Sequence, residues 1–279
     1  MRTLAGKGTF DLGQVGGWLT DSSNWYGPNG VLIHLREHLS YTVISVLIAL
    51  VIALPLGLII GHTGKGVVLI AGLANGLRAV PTLGFVVLLV VWISPKIHST
   101  QAIPGLVPRG GLPYVLPIVI VLVLLAMPAI LTNTYAGVQN VDPAVRDAAR
   151  GMGMTGSQIV RKVELPIALP LIMSGLRSAT LQVIATTTVA AYVPFLGGLG
   201  RFIIDGAQQL NDPKAGYPAM VSAGIIIAVV AVLADAALLG AQRLVVSRGL
   251  TGRTGRTGRV QTHPEAMTAS LTHPSASQV

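Results

Sequence analysis

Residues 110–141 contain no charged side chain, and neither do residues 41–61, YTVISVLIALVIALPLGLIIG. Runs of that length decide the solvent. A helix crosses the hydrocarbon core of a bilayer with about 20 mainly apolar residues, because each adds about 1.5 Å toward a thickness of roughly 30 Å. The whole chain is 52% hydrophobic and 10% charged, whereas soluble domains carry roughly 25% charged residues. Five spans are predicted: 41–61, with Pro55 inside; 66–93, with Arg78 and a bend at Pro81 in GLANGLRAVPTLGF; 112–138; 166 to about 193, with Arg177; and 216–239, with Asp235. The expected fold class is an all-α membrane protein.

Basic residues orient these spans. The net charge of +9 is concentrated toward the end of the chain, at Arg243, Arg248, Arg253, Arg256 and Arg259, as expected of a cytoplasmic terminus under the positive-inside rule. Five spans then place the N-terminus outside, Lys65 inside, and the 94–111 loop with Lys96 and Arg109 outside. The 140–166 segment, carrying Arg146, Arg150, Arg161 and Lys162 against Asp147 and Glu164 once Asp142 is set aside as a helix cap, falls inside. The division is into a 1–39 external segment with a juxtamembrane helix, a 40–245 transmembrane domain, and a 246–279 basic tail. The tail's TGRTGRTGR repeat and Thr/Ser/His/Pro-rich end predict disorder. Residues 1–30 lack the apolar core and cleavage pattern of a signal peptide.

The 142–166 stretch, DPAVRDAARGMGMTGSQIVRKVELP, interrupts the apolar text. Asp142 is placed to accept orphan backbone N–H bonds, with Pro143 at the first helical position. The helix breaks at Gly151-Met152-Gly153. Thr155 and Gln158 have capping-box spacing, and SQIVRKVEL leads to Pro166, where the next span opens. Ala148 and Ala149 beside Met152 give a small-residue face for another protein's groove, and the charges are expected to face water or an acidic partner. An ordinary capped connection between two spans explains the same spacing.

Asp147-Ala148-Ala149, Gly153, Val163 and Leu165-Pro166 resemble the EAA signature of ABC-importer permeases, with Asp for Glu and Val for Ile. TNTYAGVQNVDPAVRDAARGMGMT, VELPIALPLIMSGLRSAT and NGLRAVPTLGF resemble the osmoprotectant permeases for glycine betaine, choline, carnitine or proline, over roughly residues 30 to 245. The resemblance implies the five-helix type I importer (MetI-like) fold in a bacterial plasma membrane, with 143–165 as a cytoplasmic coupling element. It implies a dimer of cytosolic ATPases as partner, a second identical or related permease, and an external substrate-binding protein. Asp147, Ala148, Ala149 and Gly153 would form the docking surface, and Leu165-Pro166 the joint to the fourth span. ATP and Mg2+ would be used by the partner, with no cofactor bound by this chain. The departure is AAYVPFLGGLG at 190–200, where Pro194 stiffens a stretch that is glycine-rich in that family.

Arg78, Arg177 and Asp235 lie within predicted spans, where isolated charge costs about 2.5–3.5 kcal/mol by insertion scales. Counting from the cytoplasmic ends puts Arg177 and Asp235 at similar depth and predicts an ion pair, either fixing helix packing or lining a vestibule. Arg78, among Asn75, Gly76 and Pro81, is either a packing node or a wall of the conduit.

No catalytic residue is assigned. GHTGKGVV lacks the spacing of a phosphate loop, cysteine is absent, and there is no HExxH or GxSxG. His34 and His38 in HLREH could share one helix face with a metal, but Glu37 is expected to point elsewhere, and the reading is a solvated juxtamembrane helix. No metal and no nucleic acid is expected. Aromatic residues make up 5% of the chain, so an aromatic cage for a quaternary ammonium is assigned to the external binding protein. The rivals are a permease of the same fold for methionine or another small solute, a secondary transporter, for which no internal repeat is found, and a membrane enzyme.

Overall fold

The structure, a computed structural model, describes residues 12–68, 72, 76–77, 79–98, 111–193, 196–210, 212 and 215–246. Arg78, Arg109, Pro194 and the tail fall outside them. The described residues belong to the compact unit Met1–Val246 and form eight main helices: α1 Leu12–Thr20, α2 Val31–Thr63, α3 Thr82–Ile93, α4 Gly111–Gln139, α5 Pro143–Gly151, α6 Gly156–Ala190, α7 Gly200–Gln208 and α8 Tyr217–Val245.

Four of them, α2, α4, α6 and α8, are long and apolar enough to cross a membrane. In the second predicted span the described residues 67–68, 72, 76–77 and 79 are helical, and α3 starts directly after Pro81, which is extended (φ −60°, ψ 110°). α2 is longer than the predicted span, at 33 residues, because HLREH continues the same helix backward from residue 41.

α4 is the central helix, packed by α2 and α6 with α3 against it. Of its most apolar stretch 72% is buried, against 17% for α8, so α8 leaves an apolar face uncovered by this chain. Tyr41, Ile118, Leu122, Ile130 and Val183 are among the side chains of the main core. α2 and α4 approach closely at Gly57 and Gly61, one turn apart, where an added Cβ would fall 2.6 Å from Cβ of Thr134 and of Val138. Small residues at this spacing let backbones meet where no water-driven force presses helices together. Four threonine hydroxyls in the bundle are satisfied within their own helices: Thr42, Thr134, Thr180 and Thr187 each donate to the carbonyl four residues back, at 2.7–2.9 Å. Such self-satisfaction is what a medium without water demands.

A second, smaller core of Trp18, Val31, Leu199 and Ala219 joins α1, the start of α2 and the start of α8. Phe202 of α7 stands edge-on to both Trp18 and His34.

Candidate functional site: the helical elbow and its polar nodes

The interrupting segment is a pair of helices joined by one tight turn. Asp142 Oδ1 accepts the Ala144 N–H at 2.9 Å and Pro143 opens α5. Gly153 takes φ +77°, a left-handed conformation that glycine adopts without Cβ strain. Its N–H bonds Arg150 O, and Met154 N–H bonds Ala149 O, closing the end of α5. The restart is set by Gln158, whose Oε1 accepts the Thr155 N–H at 2.8 Å. The chain past this cap does not form a separate helix stopped by Pro166. Residues 156–190 run on as one helix through a π turn at Val160–Glu164, with Leu165 N–H reaching back to Val160 O. The wider turn suits Pro166, which has no N–H to give and whose ring would crowd the carbonyl of Lys162 in a regular α turn.

Facing matters for docking. Val145, Ala148 and Met152 lie at i, i+3 and i+7, and all three are exposed, Met152 at 72%. Asp147 and Gly153 are also exposed. Ala149 is not on this face: it is 2% exposed, one position round the helix from Ala148, and supports α5 from beneath. Asp147 pairs with Arg150 at 3.2 Å, both largely exposed, a contact that contributes little in water. Leu165 is half-buried and Pro166 exposed.

Not every charge of the segment faces water. Glu164 is fully buried, with Oε1 2.8 Å from Arg146 Nε and Oε2 2.9 Å from His62 Nδ1. Arg146 Nη2 also donates to Val138 O, and Gln139 Nε2 donates to Gly61 O at 2.8 Å. Counting charges treats Arg146 and Glu164 as solvated, because their partners come from elements far apart in sequence. One signal was available: Glu164 is in phase with the buried stripe Ala168, Ile172, Gly175 and Ala179 of α6.

At the opposite end of α2 the His34, Glu37 and His38 face of HLREH is buried, not solvated, while Arg36 is exposed. His34, Glu37 and His38 are each 5% exposed or less. Glu37 does not point away from His34: its Oε2 lies 3.1 Å from His34 Nδ1. The Gly198 N–H donates to Glu37 Oε2 at 2.9 Å, and His38 Nε2 lies 3.1 Å from Ile184 O. The LGGLG stretch folds over this face and removes it from solvent. Gly198 has φ +101°, and a Cβ on Gly197 would sit 1.7 Å from Glu37 Oε2. Among the described residues no group of three or more His, Asp or Glu could hold a metal ion.

Arg177 of α6 and Asp235 of α8 meet as a two-pronged pair, Nε to Oδ1 at 2.8 Å and Nη2 to Oδ2 at 2.7 Å. This fork satisfies both carboxylate oxygens and makes a polar bond between the α8 helix and the rest of the bundle.

Residues 53–245 match the family described as binding-protein-dependent transport system inner membrane component. The chain is 29% identical over 222 residues to the glycine betaine/carnitine/choline transport system permease protein OpuCB of Bacillus subtilis (strain 168), covering 80% of this chain and 91% of that one. It is 31% identical over 217 residues to the carnitine transport permease protein OpuCD of Listeria monocytogenes serotype 1/2a (strain 10403S), covering 77% and 87%. Among solved structures, an inward-facing conformation of the MetNI methionine ABC transporter aligns with a TM-score of 0.60 at 20% identity, over 78% of this chain and 96% of that one, a likeness of fold. With its apolar helices, its capped elbow and a family match running from within α2 to the end of α8, the chain is a multi-pass membrane protein that belongs to the binding-protein-dependent transport system inner membrane components.

Proposed function

We propose that this chain is the permease subunit of an ATP-driven importer of small quaternary-ammonium or zwitterionic osmoprotectants such as glycine betaine, choline or carnitine. The substrate class rests on relatives named for those solutes, aligned over most of both chains. The observation that carries the coupling role is the exposed stripe Val145, Ala148 and Met152 on a rigid, capped elbow. An apolar stripe on a short helix, ringed by charge, is the form in which a helix enters another protein's groove. The occupant is a cytosolic ATPase, which binds and hydrolyses ATP with Mg2+. Asp147, Ala148 and Gly153 form the docking surface together with Met152, and Leu165-Pro166 with the π turn form the joint through which movement passes into α6.

In this assembly the uncovered face of α8 packs on a second permease subunit or lipid, and a binding protein delivers substrate from the other side of the membrane. The elbow lies on the cytoplasmic side, as the basic residues around it favour. The Arg177–Asp235 pair holds α8 against α6. A permease for methionine is the alternative reading, supported by shared fold alone.

The test uses proteoliposomes holding the chain with its ATPase and binding protein. ATP-dependent uptake of labelled glycine betaine or choline is expected, with none when the ATPase is omitted. Uptake of methionine in preference to either, or uptake driven by an ion gradient without ATPase, would overturn the substrate or the class. Because the chain contains no cysteine, Ala148→Cys and Met152→Cys report docking directly, and both are expected to crosslink to the ATPase.

A further inference from the structure

We infer that Glu164, Arg146 and His62 form a positioning node that fixes the register between the docking helix α5 and the spans α2, α4 and α6. This inference rests on the proposed docking of α5. The carboxylate is at the centre. It is wholly buried, projects from the π turn, and is met by Arg146 of α5 and by His62 near the end of α2. Arg146 is itself largely covered, with 17% of its side chain exposed, and its other arm donates to the Val138 carbonyl. That carbonyl belongs to the last turn of α4 and also accepts the Val141 N–H at 3.1 Å. Gln139 completes the arrangement by donating to Gly61 O in the last helical turns of α2. Every element that enters the elbow is therefore tied to one carboxylate or to a neighbour of it.

The chemistry chosen says something about the task. Apolar side chains would fill this space and hold it as firmly, since buried ion pairs often stabilise no more than a well-packed apolar replacement. An apolar contact tolerates sliding, whereas a buried carboxylate in an ion pair with a guanidinium on one helix and within hydrogen-bond reach of an imidazole on another cannot shift far without leaving a charge unpaired. Arg146 is adjacent to exposed Asp147 and stands on the face of α5 opposite Ala148. Displacement of α5 by a partner pulls Arg146, and Glu164 cannot be left behind without burying an unpaired charge. The node therefore transmits the movement of α5 to α2 and to the base of α6 together. These three are positioning residues. They touch neither substrate nor nucleotide.

The experiment compares wild type, Glu164→Gln, and the triple variant His62→Leu/Arg146→Met/Glu164→Leu in the reconstituted complex. It reads thermal stability, Met152→Cys crosslinking to the ATPase, and substrate imported per ATP hydrolysed. The node predicts retained crosslinking in both variants and stability near wild type in the triple variant. It also predicts a fall of about fivefold or more in substrate per ATP, the low end of coupling between distant sites. If the triple variant crosslinks, is stable and imports with the wild-type ratio, the cluster only packs, and the node is overturned while docking stands. If wild type itself yields no crosslink, the docking reading fails and takes the node with it.

Discussion

Gly57→Ala and Gly61→Ala test whether α2 and α4 meet as closely as the structure places them. In wild type the new methyls would lie 2.6 Å from Cβ of Thr134 and of Val138, with further side-chain carbons at 2.8 and 2.9 Å. Carbon atoms in contact sit at about 3.5–4.0 Å, so each substitution forces the helices apart by roughly 1 Å. Overpacking of this kind costs about 1–3 kcal/mol, offset by about 1 kcal/mol because alanine is the better helix former. Each variant should therefore lose up to about 2 kcal/mol, and fall about 1–3 kcal/mol below a glycine-to-alanine change that meets no clash. The double variant should lose less than the sum, because one separation of the two helices relieves both clashes and the sites are coupled. The assay is reversible unfolding in mixed micelles titrated with a denaturing detergent, followed by tryptophan fluorescence. Gly17→Ala on α1, where an added Cβ meets nothing within 4 Å, is the control and should gain up to about 1 kcal/mol. Variants at Gly57 and Gly61 as stable as that control, or a double variant losing more than the sum, would refute the close crossing.

Gly197→Ala places a methyl on the Glu37 carboxylate and should abolish uptake or assembly; Glu37→Ala added to it should restore assembly in part, and failure of any rescue in a size-exclusion assay would show that the clash is not the cause. Arg177→Met should impair assembly or uptake more than Arg177→Met/Asp235→Leu, since the single change strands a carboxylate among apolar helices; unchanged transport in the single variant would reduce the pair to incidental packing. Pro166→Ala supplies an N–H and removes the ring that would crowd Lys162 O in a regular α turn, so helix stability should hold or rise while substrate imported per ATP falls; an unchanged ratio would remove the joint from the coupling path.

The parts that could be read from the sequence are the local ones. Spans follow from uninterrupted apolar runs, and the caps at Asp142 and Thr155 from residues within a turn of the helix they start. The turn at Gly153 follows from glycine's freedom at positive φ. The Arg177–Asp235 pair follows from counting depth along two helices, because a charge in hydrocarbon needs a partner at its own level. What escaped the sequence depends on contacts between residues far apart in the chain. HLREH reads as a solvated helix until LGGLG, some 160 residues later, covers it. Arg146 and Glu164 read as surface charges until α2 supplies His62. Ala148 and Ala149 are chemically identical, and only the packing of α5 against α6 turns one outward and the other inward. Pro166 reads as a helix boundary because a π turn has no sequence signature of its own.

The two polar clusters acquire meaning from their separation. His38 and His62 are 24 residues apart on α2, about 36 Å along a helix, slightly more than the roughly 30 Å hydrocarbon core. Each cluster thus falls near an interface, where burying a carboxylate is far less costly than at mid-membrane. Both clusters fasten α2 to α6, through Ile184 at one end and Glu164 at the other. Helices joined only by apolar and small-residue contacts can slide past one another, whereas two joined at both ends by directional bonds cannot. α2, α4 and α6 must therefore turn as one body, and the Arg177–Asp235 fork carries α8 with them. In the proposed assembly a change of access cannot arise by sliding these spans within one chain; it must arise where the uncovered face of α8 meets its neighbour, driven from the elbow below.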